Sequence, residues 1–227
     1  MSLEQIEATM EEEGYTIGDL LQSQVKKNSS LLYLNPEQKN KLLDMIKDVK
    51  TSNSNSDKGK SLENMVEFLI SNNKCFFDII RNRRTSTNEV DFIVNWSEKA
   101  RMQNLHNAFD FLSNGFIGEC KNHTQKPNVT YVGKFISLTM ISKQSIGVLF
   151  SNLEITGRNN WDAAKGLIRK VALNKEIYIL DINLLDIEKI ANGETSLLNL
   201  LYAKYCSLKN DIDYNCYIKP HANEGKI

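Results

Sequence analysis

The order of apolar segments between residues 61 and 151 constrains the fold of this chain more than any other feature. A segment with apolar residues at helical spacing comes first, and three short β-prone segments follow it. A second helical segment then precedes the run IGVLFS, whose continuous apolar side chains are typical of a buried strand. Helices that alternate with strands in this way favour a mixed sheet with helices on both faces. The sequence therefore predicts an α/β domain with an αβββαβ core.

The individual elements after residue 60 are predicted from hydrophobic period and turn residues. Helices are expected at 61–73, 129–143, 160–173 (capped by Asn160), 183–192 and 195–206, and strands at 75–80, 88–96, 116–122, 146–151 and 176–181. The segment 97–114 is polar and irregular, with room for a short helix.

The first fifty residues indicate short helices that extend the domain at its N-terminus. Ser2 with Gln5 forms a capping-box start, and Gly14 is a typical helix stop. A second helix is expected at 17–27, and a third begins at Asn35, which precedes a proline in the first turn, and continues to about residue 49.

The segment TSNSNSDKGK, residues 51–60, has no apolar side chain to bury and therefore predicts a linker. The predicted organisation is a helical segment at 1–50, a linker at 51–60, the main domain at 61–206 and a tail at 207–227.

Composition excludes several classes of protein. At 227 residues, with 41% hydrophobic and 25% charged residues, the chain is typical of a globular domain. No apolar run approaches the roughly 20 residues that a bilayer span needs, and the acidic start MSLEQIEATMEEEGY does not resemble a secretory signal. We therefore expect a cytoplasmic protein with no membrane contact.

The four cysteines are too widely spaced in the sequence to indicate a zinc site or a disulfide framework. We therefore expect reduced thiols.

The motif Glu119-Cys120-Lys121 carries the strongest chemical signal. Four acidic-x-Lys triplets occur, but only this one ends an apolar run, FIGECK, that predicts a strand. Residues i and i+2 of a strand share a face, so Glu119 and Lys121 are expected side by side while the Cys120 side chain points the other way. A simple ion pair is the structural alternative and contributes about 1 kcal/mol at most if exposed.

The chemical interpretation explains why such a pair lies on a half-buried strand. Hydrolysis of a phosphodiester needs a hard cation and a water molecule that this cation makes more acidic. Carboxylate oxygens bind Mg²⁺, and an adjacent lysine orients the attacking water or stabilises developing charge.

Asp91 and Glu63 are the further acidic candidates. Asp91 interrupts the strand-like run NEVDFIV, where an aspartate is disfavoured, and Glu89 shares its face as a candidate outer helper. Glu63 lies at the edge of the apolar stripe of the helix from residue 61, from which it is able to reach the sheet edge. For Glu63 an exposed carboxylate favoured by the helix dipole is the alternative. The densest basic patch, Arg81 with Arg83 and Arg84, is either a solvated loop or a phosphate contact.

The segments GKSLENMVEFL, NEVDFIV and FIGECKN, followed by an amphipathic helix, resemble the PD-(D/E)XK restriction-endonuclease-like superfamily, in particular its Mrr-type branch. The resemblance covers residues 59–153. It implies a restriction-endonuclease-like fold with a helix acid at Glu63, a metal-binding pair at Asp91 and Glu119, and a catalytic lysine at Lys121. Lys134, on the helix that follows, is a weaker candidate for an assisting residue. The spacing of about 27 residues between Asp91 and Glu119 is long for this family. The insertion at 97–114 is then either a substrate or partner loop, or it indicates that Asp91 is not the metal-binding aspartate.

The resemblance implies a Mg²⁺-dependent endonuclease acting on DNA, with Mn²⁺ as a substitute metal. Asp91, Glu119, the Cys120 carbonyl and Glu63 would bind the metal or its water, and Lys121 would position the nucleophile. A homodimer would allow both strands to be cut, and the N-terminal helices offer a surface for dimerisation or a protein partner. Two alternatives stay open: a catalytically inactive nuclease-fold module that binds DNA or assembles with partners, and a helical interaction protein in which the motifs are accidental.

Overall fold

The computed structural model describes residues 2–16, 19, 32–52, 55–72, 76–84, 89–102 and 104–210. The second predicted helix, 17–27, and residues 211–227 of the predicted tail lie outside the described residues, apart from residue 19.

Helices and strands alternate through most of the described part. In chain order the elements are α1 (Leu3–Glu12), α2 (Pro36–Thr51), α3 (Asn55–Ser71), β1 (Phe77–Arg84), β2 (Glu89–Trp96), α4 (Glu98–Met102), a 3₁₀-helix (Leu105–Leu112), β3 (Phe116–Lys121), α5 (Val129–Ile141), β4 (Ile146–Ser151), α6 (Ala163–Lys175), β5 (Tyr178–Asn183), α7 (Leu184–Asn192) and α8 (Leu197–Lys209).

The strands of the described residues form one mixed sheet in the order β1-β2-β3-β4-β5. The strand pairs β1–β2 and β2–β3 are antiparallel, whereas β3–β4 and β4–β5 are parallel, as the intervening helices α5 and α6 require. The predicted α/β class with a mixed, helix-flanked sheet is therefore confirmed. The helical fold of the alternative interaction protein is therefore wrong.

Strand register divides the side chains between two faces of the sheet. Ile93, Ile117 and Gly147 are register partners on one face, which also carries Glu119 two residues further along β3. We call this the Glu119 face. Arg81 and Phe92 are partners on the opposite face, which we call the Arg81 face.

Helix α5 covers the Glu119 face through a close approach at Gly147. A Cβ atom at Gly147 would lie 2.7 Å from Thr139 Oγ1 of α5 and 2.8 Å from Ile179 Cδ1 of β5. Glycine therefore allows the helix to lie directly on the sheet. Helix α3 covers the Arg81 face, since its Glu63 and Glu67 both bind Arg81.

The predicted linker differs from the structure. Residues 55–60 are the first turns of α3 and not a loop, and the Lys58 carbonyl accepts a hydrogen bond of 2.7 Å from Asn122 Nδ2 just after β3. Helix α2, before it, buries Leu42, Ile46 and Val49 in the same core as the sheet. Polar composition predicted a loop here because the packing of α3 comes from its later residues.

The insertion at 97–114 is also more ordered than predicted. It consists of α4 and the 3₁₀-helix, and it buries Leu105, Phe109 and Leu112. The Trp96 indole N–H at the end of β2 donates a hydrogen bond of 2.7 Å to the Leu112 carbonyl. The segment therefore contributes to the core, and its role as a substrate or partner loop stays a prediction.

The ends of other elements shift by a few residues. Helix α6 begins after Asp162, not after Asn160 as predicted, and α8 continues to Lys209, three residues into the predicted tail. Helix α1 has the predicted Ser2–Gln5 capping box. None of the helices in the described ranges combines the length and apolar character needed to cross a bilayer.

Candidate active site

Strands β2 and β3 separate at Asp91. The last register pair between the two strands is Phe92 with Gly118. Two residues after Gly118, the Cys120 main-chain N–H donates a hydrogen bond of 2.7 Å to Asp91 Oδ2 and not to a main-chain carbonyl. The Asp91 carboxylate therefore occupies the space that opens between the strands.

Glu119 lies on the same face as Asp91, on the neighbouring strand. Its Oε1 accepts a hydrogen bond of 2.7 Å from the Tyr131 hydroxyl of α5. Its Oε2 is buried and has no hydrogen-bond partner in the described part of the protein. An unpaired buried carboxylate oxygen is costly and is available to a ligand.

Burial raises the pKa of Glu119 to about 7, and the negative charge of Asp91 acts in the same direction. The Tyr131 hydrogen bond and the positive charges of Lys121 and Lys134 lower the pKa of Glu119 but do not offset these effects. Two carboxylates that interact in this way favour a proton or a cation beside them.

Lys121 shares the face of Glu119, as the strand period predicted. Its Nζ lies 4.2 Å from the centre of the Tyr131 ring, a cation–π geometry that holds the ammonium beside the carboxylates. Burial lowers the pKa of Lys121, and the charge of Lys134 lowers it further, whereas Glu119 and Asp91 raise it. Lys134 is exposed on α5 and acts on the site through its charge.

The Cys120 side chain points to the Arg81 face, so only the backbone of Cys120 is near the carboxylates of the Glu119 face. Burial raises the pKa of the Cys120 thiol well above its usual value, and neighbouring carboxylates add to the effect. The Lys121 carbonyl accepts from Asn152 N–H on the β4 side at 3.2 Å. Since alternate residues of a strand direct their backbone groups to opposite edges, the Cys120 carbonyl points to the β2 side, where Asp91 lies.

Glu63 lies across the sheet from Glu119. Its Oε2 accepts a hydrogen bond of 2.9 Å from the guanidinium of Arg81, which also binds Glu67 Oε2 at 2.7 Å. Within the described residues Arg81 is the ion-pair partner of Glu63. The structure therefore does not bring the Glu63 carboxylate to Asp91 and Glu119, and its role as a metal ligand stays a prediction.

The same ion pairs involve Arg81 of the basic patch. The guanidinium of Arg81 is engaged by two carboxylates and lies over the Phe92 ring, 5.8 Å from its centre. These contacts join Arg81 to α3, and the phosphate contact of the basic patch stays a prediction. The side chains of Arg83, Arg84 and Glu89 lie outside the described part of the structure.

Tyr131 is the site residue that sequence analysis missed. Asn128 caps α5 by accepting a hydrogen bond of 3.0 Å from Tyr131 N–H, which fixes the tyrosine in the first turn of the helix. The available signal was its position one helical turn before Phe135, on the side of α5 that packs against the sheet.

A shallow depression of about 240 Å³ adjoins the site beyond Lys121. Lys121, His123, Lys126 and Tyr131 contribute to its wall, and none of the described residues that line it is acidic. A polyanion is the ligand that such a surface favours.

The site offers a divalent ion fewer side-chain ligands than predicted. Among the described residues, no three His, Cys, Asp or Glu side chains form a group able to hold a metal. Asp91 and Glu119 supply two carboxylates, and the Cys120 carbonyl is a third oxygen at the same opening. This all-oxygen set, with its unpaired Glu119 Oε2, fits Mg²⁺, which keeps several waters and needs one or two carboxylates.

Comparison of the chain with protein-family models, curated proteins and solved structures gave no match.

Proposed function

We propose that the protein is a Mg²⁺-dependent endonuclease that hydrolyses DNA phosphodiester bonds and belongs to the PD-(D/E)XK type. The observation that carries the proposal is the convergence of Asp91, Glu119 and Lys121 on one sheet face, where β2 and β3 separate. If Glu119 and Lys121 served only as a stabilising ion pair, a second carboxylate would be a disadvantage. Asp91 disfavours the charged form of Glu119, since it raises the pKa of Glu119.

Asp91, Glu119 and the carbonyl of Cys120 would hold the metal, with Mn²⁺ able to replace Mg²⁺. A bound divalent ion supplies charge neutralisation at the phosphate and a more acidic water. The unpaired Oε2 of Glu119 is the atom most in need of a positive charge. Glu63 would take part only after release from Arg81, so we assign it at most an outer role.

Lys121 and Tyr131 would arrange the groups that react. The Lys121 ammonium lies over the Tyr131 ring next to Glu119 and is placed to orient the attacking water or stabilise charge on the phosphate. Burial and nearby carboxylates raise the pKa of Tyr131, so its hydroxyl stays protonated and keeps donating to Glu119.

The depression beside Lys121 supports a nucleic-acid substrate. Lys121 and Lys126 are its cations, and Lys126 also binds Glu154. His123 adds a polar but uncharged side chain, because burial and the charge of Lys121 lower its pKa. Contacts of this kind hold phosphate groups without reading sequence. A formal net charge of zero limits such contacts to a local surface. We propose DNA over RNA as the substrate, following the resemblance.

The proposed assembly is a homodimer, so that two active sites cut opposite strands. Helix α1 is a candidate surface for the second copy or for another protein, since Ile6 is exposed on it. Light scattering of the purified chain would give its mass in solution.

A nuclease-fold module without catalysis is the second candidate function. The observation that favours it is the ion pair of Glu63 with Arg81, which removes one acid from the proposed metal set. Such a module would bind DNA equally well with and without Mg²⁺ and would leave it intact.

Plasmid relaxation in the presence of Mg²⁺ tests the proposal. We expect the protein to nick or linearise the plasmid and Lys121→Ala or Asp91→Ala to reduce the rate by about 100-fold or more. Lys170→Ala, at an exposed position of α6, is the matched control and should cut normally. Equal cutting by all variants would refute the assignment. DNA binding without any cutting would favour the inactive module.

A further inference from the structure

A second and larger cavity, of about 530 Å³, lies beside β5, the edge strand of the sheet three strands away from β2 and Asp91. It opens at the carboxyl ends of β4 and β5, between the loop after β4 and helices α6, α7 and α8. Ligands of open α/β sheets typically bind at this end of parallel strands. Its volume lies within the range of small-molecule sites.

The floor of this cavity is charged but balanced. Arg169 and Lys204 are buried cations, and Asp186 is a buried acid. Lys204 Nζ lies 2.8 Å from Asp186 Oδ2 and 3.9 Å from Asp181 Oδ1. Lys189 Nζ, at the rim, also lies 3.9 Å from Asp186 Oδ1. The floor therefore has two cations and two acids, which balance in formal charge.

The rim carries an excess of positive charge. Arg158, Lys165 and Lys189 line the rim. Glu154 is the one acid of the rim, since the other two acids that line the cavity lie at its floor. Glu154 is shared, because it binds Lys126 outside the cavity as well as Lys165, whose Nζ lies 3.3 Å from Glu154 Oε2. The Arg158 guanidinium makes no ion pair with an acidic side chain of the described chain.

The loop that presents Arg158 is held in place by its own hydrogen bonds. Thr156 N–H donates to the Pro127 carbonyl at 2.9 Å, and Lys165 N–H donates to the Thr156 carbonyl at 3.0 Å. Gly157 has φ +146°, and a Cβ atom there would lie 2.6 Å from the Asp162 carbonyl oxygen. The rim is therefore formed in advance, which lowers the entropy cost of binding.

We propose that this cavity binds a phosphate monoester, with Arg158, Lys165 and Lys189 as the contacts of the phosphate group. A monoester has a charge between about −1.5 and −2 at neutral pH, which matches the excess of two cations at the rim. A guanidinium binds phosphate oxygens with two parallel hydrogen bonds. The remaining volume accepts the organic part of the molecule. The site is separate from the proposed nuclease centre and does not depend on it.

Calorimetric titration with ribose 5-phosphate and 5′-AMP tests the proposal, with adenosine as the probe that lacks phosphate. We expect both phosphates to bind and adenosine to give no heat. Arg158→Gln and Lys189→Gln should each weaken binding by about tenfold, whereas Lys170→Gln, on α6 outside the cavity, should bind as the unchanged protein does. No binding of either phosphate, or equal affinity in all variants, would overturn the proposal.

Two further titrations identify the source of the phosphate and separate this site from the nuclease. A 5′-phosphorylated oligonucleotide that binds more tightly than ribose 5-phosphate, and more tightly than its 5′-hydroxyl counterpart, assigns the group to a strand end. The reverse order assigns it to a free small molecule. Lys121→Ala should bind ribose 5-phosphate unchanged, so a failed nuclease assay leaves this result standing. Loss of binding in Lys121→Ala would count against a separate site.

Discussion

The Tyr131 hydroxyl donates a hydrogen bond of 2.7 Å to Glu119 Oε1, while the Tyr131 ring lies under the Lys121 ammonium. One side chain of α5 thus contacts both members of the Glu-x-Lys pair. Glu119 and Lys121 are therefore held in a fixed relation to each other, as a positioned nucleophile requires.

Tyr131→Phe removes the hydroxyl and keeps the ring. Because the Tyr131 hydrogen bond lowers the pKa of Glu119, we expect the pKa of Glu119 to rise above about 7 in the variant. The cation–π contact with Lys121 should persist. A ¹³C NMR titration of the Glu119 carboxyl group measures the change, and Tyr202→Phe, at an exposed tyrosine, is the control. An unchanged or lower pKa would contradict the role given to Tyr131.

Glu119 should also make the stability of the fold depend on pH. Its pKa is about 7 in the folded protein against a usual value of 4.5, so the folded state binds the proton more tightly than the unfolded state. This stabilisation is complete below pH 4.5 and is lost as pH rises through about 7, an effect of up to about 3 kcal/mol.

Urea unfolding of the protein and of Glu119→Gln between pH 4.5 and pH 8 measures this effect. The free energy of unfolding should fall less steeply with pH in Glu119→Gln, because the amide does not ionise. Glu11→Gln, at an exposed position of α1, should keep the original slope. Identical slopes in all three proteins would show that Glu119 ionises normally.

Glu63 and Asp91 should differ in their effect on cleavage. Asp91 lies in the opening between β2 and β3, whereas Glu63 is bound by Arg81 on the other face. We expect Asp91→Asn to lower the rate of plasmid cleavage by about 100-fold and Glu63→Gln by less than about tenfold. Equal, large losses in both variants would show that Glu63 leaves Arg81 and joins the metal site.

Two glycine substitutions test how α5 and α3 are placed. Gly147→Val should lower the free energy of unfolding by about 1–3 kcal/mol or more, since its Cβ would overlap Thr139 and Ile179. Gly59→Ala should raise it by about 0.5–1 kcal/mol, because Gly59 lies in α3 with no atom within 4 Å of an added Cβ. Urea unfolding measures both. A destabilising Gly59→Ala would favour the loop that composition predicted there.

The hydrophobic period of the sequence predicted the strands well, because the positions of apolar residues follow directly from which side chains the sheet buries. IGVLFS corresponds residue for residue to β4, and NEVDFIVNW contains β2. The same pattern could not predict a helix at residues 55–60, because this first part of α3 has no apolar side chain. It also missed the packing of 97–114, since the aromatic contacts there, such as Phe109 with Trp96, join residues distant in sequence.

The site was predictable where it depends on strand period and not where it depends on packing between elements. Glu119 and Lys121 share a face because of their spacing, and Asp91 joins them through the register of β2 and β3. The hydrogen bond from Tyr131 and the ion pair of Glu63 with Arg81 depend on how α5 and α3 lie on the sheet. A single sequence does not record that arrangement.

Calorimetric titration with Mn²⁺ tests the central claim most directly, because it asks whether Asp91 and Glu119 hold a divalent ion together. We expect one ion per chain, bound about tenfold more tightly at pH 8 than at pH 6, since binding must displace the proton of Glu119. Binding should be lost in Asp91→Ala and Glu119→Gln and retained in Glu63→Gln. No Mn²⁺ binding at either pH, or binding that survives both Asp91→Ala and Glu119→Gln, would contradict the account.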